Sequence, residues 1–171
     1  ASLLWPPLLV IVLFVMIASL FIFDGPYNGG SDYMNFLVTL CLVISIFSEN
    51  ATFKAACLLY IGAQAVLSYF VAGLTKLRKP GWRNGESLKK IIEKSHYLVP
   101  IKIQNYRLLS WVVMVSEVSI LIGFLNFHFG ILLLAGFALF HLINIKLLRL
   151  NRFFFAWLSS YACILYCFTR F

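Results

Sequence analysis

Apolar residues in this chain fall in long blocks separated by short polar breaks. Neither the two-residue alternation of a half-buried strand nor the one-sided stripe of a soluble helix describes them. The blocks predict membrane-length helices at about residues 3–23, 33–47, 55–77, 107–126, 129–148 and 152–169. Pro6 and Pro7 fall in the first turns of the first block, where a missing N–H costs little. No basic stretch precedes that block and no clean small-residue cleavage site follows it, so it reads as a retained helix. The second block is short and reads as a tilted or partly buried span.

The breaks are a turn-rich loop, DGPYNGGSD (24–32), a polar SENATFK (48–54) and a long basic segment, 78–106. Within the last, ESLKKIIEKSHY (86–97) sets Leu88, Ile91, Ile92 and Tyr97 near one side of a helix. Lys89, Lys90, Glu93 and Lys94 lie mostly on the other, the pattern of a helix lying in the membrane interface. The expected fold is all-α: a single-domain polytopic transmembrane helical bundle over 1–171, with five to six spans and one interfacial amphipathic helix.

Composition narrows the class. The 171 residues are 62% hydrophobic and 12% charged, against about 25% charged in an average soluble domain. This excludes an ordinary soluble globule, a disordered chain and a disulfide-stapled module. The net charge of +8 would suggest nucleic acid in a soluble protein. In a membrane chain it records topology and contact with anionic lipid, and no nucleic-acid partner is expected. Nine of the fourteen basic residues lie between Lys76 and Arg107, and Lys146, Arg149 and Arg152 flank the last loop. With six spans these two segments share one side. The excess of positive charge makes that side cytoplasmic, in a bacterial inner membrane, with both termini outside. If the short second block does not span, only the N-terminus changes side.

Cys41, Cys57, Cys163 and Cys167 sit inside apolar blocks without a CxxC pair. They read as small buried apolar residues, with a redox pair or metal site as the lesser alternative and no metal expected. Asn50-Ala51-Thr52 matches a glycosylation sequon, a pattern short enough to arise by chance.

A polar group in hydrocarbon must be paired or face a cavity, so the few inside the blocks are informative. Tyr69, Ala72, Gly73 and Lys76 follow helical spacing along one face of the third block; Gln64, Ser68 and Thr75 line another. The fourth block carries Ser116, Glu117 and Ser119, and the fifth carries His141 and Asn144, one turn apart. Lys76, Glu117 and His141 are the candidate catalytic groups, because burial suits lysine, glutamate and histidine to proton transfer. The competing reading makes Lys76 a snorkelling cation, Glu117 its structural partner or that of His141, and His141 an interhelical hydrogen bonder. No P-loop, HExxH, GxSxG or post-strand GxGxxG motif is present, and no internal repeat.

Residues 69–88, YFVAGLTKLRKPGWRNGESL, resemble the YFxAGxxKLxxxWxxG signature of the vitamin K-dependent gamma-carboxylase family and its bacterial HTTM (horizontally transferred transmembrane) relatives. Tyr69, Phe70, Ala72, Gly73, Lys76, Leu77, Trp82 and Gly85 carry the match. A second stretch, FHLINIKLLRLNRF, resembles the FHxxNxxLxxIxxF run of a late carboxylase helix through Phe140, His141, Asn144, Leu147, Leu150 and Phe153. The resemblance spans about residues 55–165. It implies that Lys76 is the base that deprotonates a quinol and that Tyr69, Trp82 and Asn144 contribute to the cofactor site, with a quinone or lipid as cofactor. A fainter similarity is to the compact DoxX/MauE-type redox-associated membrane proteins.

Two functions follow. The first is an accessory subunit packed among other subunits of a larger membrane complex, favoured by small size and an aromatic-rich surface. The alternative is a membrane enzyme or quinone-binding protein with Lys76 as base, Glu117 and His141 modulating it, and aromatic residues lining a pocket for a flat ligand.

Overall fold

The computed structural model describes residues 5–22, 30–94 and 103–171. Every regular element among them is helical: α1 (Trp5–Ile22), α2 (Gly30–Phe47), α3 (Ala51–Arg78), α4 (Pro80–Arg83), α5 (Glu86–Glu93), α6 (Tyr106–Val118), α7 (Phe127–Leu148) and α8 (Asn151–Phe168). A 3-10 stretch, Ser119–Phe124, continues α6. The protein is an all-α membrane bundle. Four helices are long and apolar enough to cross a bilayer: α2, α3, α6 with its 3-10 extension, and α7. α1 is a shorter apolar helix. α8 equals α2 in length but has a more polar sequence.

The second block is longer than its apolar residues alone indicate. α2 begins at Gly30 and recruits Ser31 and Asp32 into its first turn, reaching 18 residues. Within the expected 86–97 helix, α5 runs from Glu86 to Glu93 with Lys94 at its C-cap, and residues 95–97, including Tyr97, lie outside the described residues. A four-residue helix, Pro80–Arg83, forms where an irregular loop was expected; Pro80 at its start has no N–H to leave unsatisfied.

Asparagines start three of the long helices. Asn50 Oδ1 accepts from the N–H groups of Thr52 and Phe53, Asn105 from Leu108 and Asn126 from Phe129. Each satisfies donors that the first helical turn leaves orphaned. Asn50 of the sequon match is therefore a helix cap. α7 closes at Arg149, a non-glycine residue in the left-handed region (φ 56°), whose N–H bonds to the Ile145 carbonyl.

The described chain forms two compact units. The first holds α1, α2, α3 up to Ala65 and α8 from Phe155. Its core is built at helical spacing from Met34, Val38 and Cys41 of α2, Cys57 and Ile61 of α3, and Cys163, Ile164 and Cys167 of α8. Gly62 admits α8 here: a Cβ would overlap the Cys163 carbonyl and Cys167 Sγ. The Cys167 thiol donates to the Leu59 carbonyl at 3.4 Å. The four cysteines are free and buried.

The second unit runs from Val66 to Phe154, with Phe171. Its core is one stripe of each helix: Val66 and Tyr69 of α3, Ser110, Val113, Met114 and Glu117 of α6, and Leu134, Phe137 and His141 of α7. Ser116 Oγ bonds back to the Val113 carbonyl at 2.9 Å, drawing on the helix's own acceptor just before the backbone tightens into the 3-10 turn.

Candidate functional site

All six site residues expected from the sequence lie in the second unit. α3 presents Tyr69, Gly73 and Lys76 on one face, two turns long. Gly73 sets how closely α6 approaches. A Cβ there would stand 2.8 Å from Val118 Cγ2 and 3.0 Å from Glu117 Cβ. Glycine at this point therefore brings Glu117 beneath the side chain one turn further along, Lys76.

The Lys76 ammonium donates to both carboxylate oxygens of Glu117, to Oε2 at 2.6 Å and to Oε1. The Glu117 side chain is 9% exposed and that of Lys76 21%. An isolated charge at this depth is costly, and the pair offsets that cost within the protein. Trp82 stands beside it, its ring centroid 5.4 Å from Lys76 Nζ, a cation–π distance. Two hydrogen bonds hold the α4 turn in place against α6. The Trp82 carbonyl accepts from Ser110 Oγ at 2.6 Å, and the Arg83 carbonyl from Trp111 Nε1 at 3.1 Å.

Two turns back along α3, the Tyr69 hydroxyl hydrogen-bonds His141 Nε2 at 2.9 Å. Both residues are buried. Phe137 stacks on Tyr69 with ring centroids 4.3 Å apart and planes 7° from parallel, and Phe140 meets His141 edge-on at 5.5 Å. Thus α3 makes two polar contacts from one face, to α6 through Lys76 and to α7 through Tyr69.

Asn144 stands apart from these pairs. It is half-buried, its side chain makes no hydrogen bond with a described residue, and its carbonyl instead helps close α7 by accepting from Arg149 and Leu150. Ser110, Trp111 and Phe137 escaped sequence reasoning. A serine and a tryptophan near a span end are unremarkable in composition, and only the packed α4 turn gives them their roles. A groove of about 430 Å³ opens between α6 and α7, lined by Trp111, Val115, Ser116, Ser119, Phe129 and Leu133 among others; none of the six expected site residues lines it. Among the described residues no group of three His, Cys, Asp or Glu side chains is arranged to hold a metal ion.

Chemically, the arrangement contains one carboxylate–ammonium pair and one phenol–imidazole pair, each joining two helices. Compared with protein-family models, curated proteins and solved structures, the chain matches none.

Proposed function

We propose that the chain is an HTTM/carboxylase-like integral membrane protein acting as an accessory subunit of a larger membrane complex. The observation behind this reading is the closed Lys76–Glu117 pair: both carboxylate oxygens hold the ammonium of the signature lysine. To serve as a base, that ammonium would first have to lose a proton. His141 is likewise engaged with Tyr69. In this reading the signature residues join helices, and exposed apolar side chains such as Phe14, Phe21 and Leu132 meet lipid or other subunits. The segments around 78–94 and 146–152 face the cytoplasm of a bacterial inner membrane.

A second reading has its own support. Lys76 keeps 21% of its side chain accessible beside the Trp82 ring, so a flat ligand can approach the pair from one side. A quinol there would give its proton to Lys76 once the Lys76 ammonium had passed its own proton to Glu117. Purification from membranes in mild detergent, with mass spectrometry of proteins and quinones, separates the two. The accessory reading expects stoichiometric partner subunits that persist in Lys76→Met. A solitary protein carrying quinone, lost in Lys76→Met while the fold survives, overturns it in favour of the enzyme.

A further inference from the structure

The groove between α6 and α7 reaches Trp111, one helical turn beyond Arg107 on α6 and hydrogen-bonded to the Arg83 carbonyl. On α6, Arg107, Trp111, Val115 and Ser119 recur every four residues, so one strip runs from a cation at the helix start into the groove. The α4–α5 turn lies on top of this strip. Gly85 adopts φ +87° and packs so tightly that a Cβ would stand 2.6 Å from the Arg107 backbone nitrogen. Trp111, a groove wall, donates its indole N–H to the carbonyl of Arg83. The backbones of Arg83 and Arg107 are thus both held beside Trp111, the groove wall nearest the start of α6. Both are exposed, and neither joins an ion pair among the described residues.

Below the mouth, apart from the hydroxyls of Ser116 and Ser119, the walls are apolar. From Trp111 to Ser119 the strip descends about 12 Å at the helical rise. One leaflet of hydrocarbon is about 15 Å deep. A site with two guanidinium groups above a leaflet-deep apolar groove is complementary to one kind of molecule. We infer that it binds an anionic phospholipid, with the headgroup phosphate on Arg83 and Arg107 and an acyl chain along Trp111, Val115 and Phe129. Guanidinium groups suit this role because their planar fork meets phosphate oxygens in pairs.

The test uses the full chain in detergent, titrated separately with phosphatidylglycerol, phosphatidylcholine and inorganic phosphate, read by native mass spectrometry and thermal unfolding. Phosphatidylglycerol is expected to bind about tenfold tighter than phosphatidylcholine, and the double variant Arg83→Gln/Arg107→Gln to erase that preference. Val115→Phe, which fills the groove from an exposed position, is expected to weaken both lipids while leaving the lipid-free Tm unchanged. Equal binding of the two lipids overturns the inference, as does a preference that survives loss of both arginines. Stabilisation by inorganic phosphate alone equal to that by phosphatidylglycerol also overturns it, since a free anion needs no groove.

Discussion

Lys76 and Glu117 illustrate how much one pair matters when charges are scarce. Lys76→Met leaves the Glu117 carboxylate, in a residue only 7% exposed, without its counter-charge. Breaking a buried pair from one side costs about 3–5 kcal/mol. Glu117→Gln strands the other partner, but Lys76 sits in the last turn of its helix and can extend toward the headgroups, so the loss is smaller. Lys76→Met combined with Glu117→Gln removes both charges and is expected to recover most of the stability. Unfolding of the four proteins in one detergent gives the coupling energy; a double variant as unstable as Lys76→Met refutes the pairing. These residues were legible in the sequence because hydrocarbon makes any buried charge conspicuous. Their pairing was legible only in part: the sequence offers Glu117 to Lys76 or to His141 without choosing, and does not name Tyr69 as the partner of His141. Whether Lys76 meets Glu117, or His141 meets Tyr69, depends on how closely helices cross, which hydropathy does not encode. Asn144 shows the limit: it shares a helix side with His141, yet its side chain joins neither pair.

At the scale of elements, close helix crossings rest on single glycines, and not all glycines are equivalent. A methyl at Gly62 would overlap the backbone carbonyl of Cys163, and one at Gly73 would press on Val118 and Glu117. A Cβ at Gly136 meets nothing within 4 Å. Gly62→Ala and Gly73→Ala are therefore expected to cost about 1–3 kcal/mol each by overpacking. Gly136→Ala is expected to be neutral or to stabilise α7 by up to ~1 kcal/mol through helix propensity. A thermal-unfolding series in detergent that ranks Gly136→Ala with the other two contradicts these crossings. The long helices themselves were readable, because blocks of apolar residues this long have few other uses. Three details were not. Ser31 and Asp32 extend α2 although they are polar, since a first turn tolerates an acid near its positive end. The α4 turn forms from PGWR because its carbonyls find donors on α6, a tertiary effect. The 3-10 stretch after Val118 comes with no change in hydropathy to mark it.

For the molecule as a whole, the expectation that the basic residues share one side of a membrane rests on the second unit, which holds the described cations from Lys76 to Lys94, Arg107, Lys146, Arg149 and Arg152. The end of α3 and the start of α6 lie at one level, joined through Ser110 to the Trp82 carbonyl and through Gly85 packed on Arg107. α6 and its 3-10 extension then lead away from that level as far as Phe124, and the Asn126 cap starts α7 after a two-residue turn. A turn that short is expected to reverse the chain and to bring Lys146, Arg149 and Arg152 back to the level of Arg78 and Arg83. Retention of positive charge on the cytoplasmic side then predicts which level faces inward. The four native cysteines are buried in their helices, so an introduced thiol stands out against them. In intact bacteria, a membrane-impermeant maleimide is expected to label His128→Cys, at the turn, and to leave Lys89→Cys and Lys146→Cys unlabelled until lysis. The reverse pattern would invert the orientation and leave the shared level intact. Labelling of Lys89→Cys and Lys146→Cys from opposite sides would refute the shared level itself.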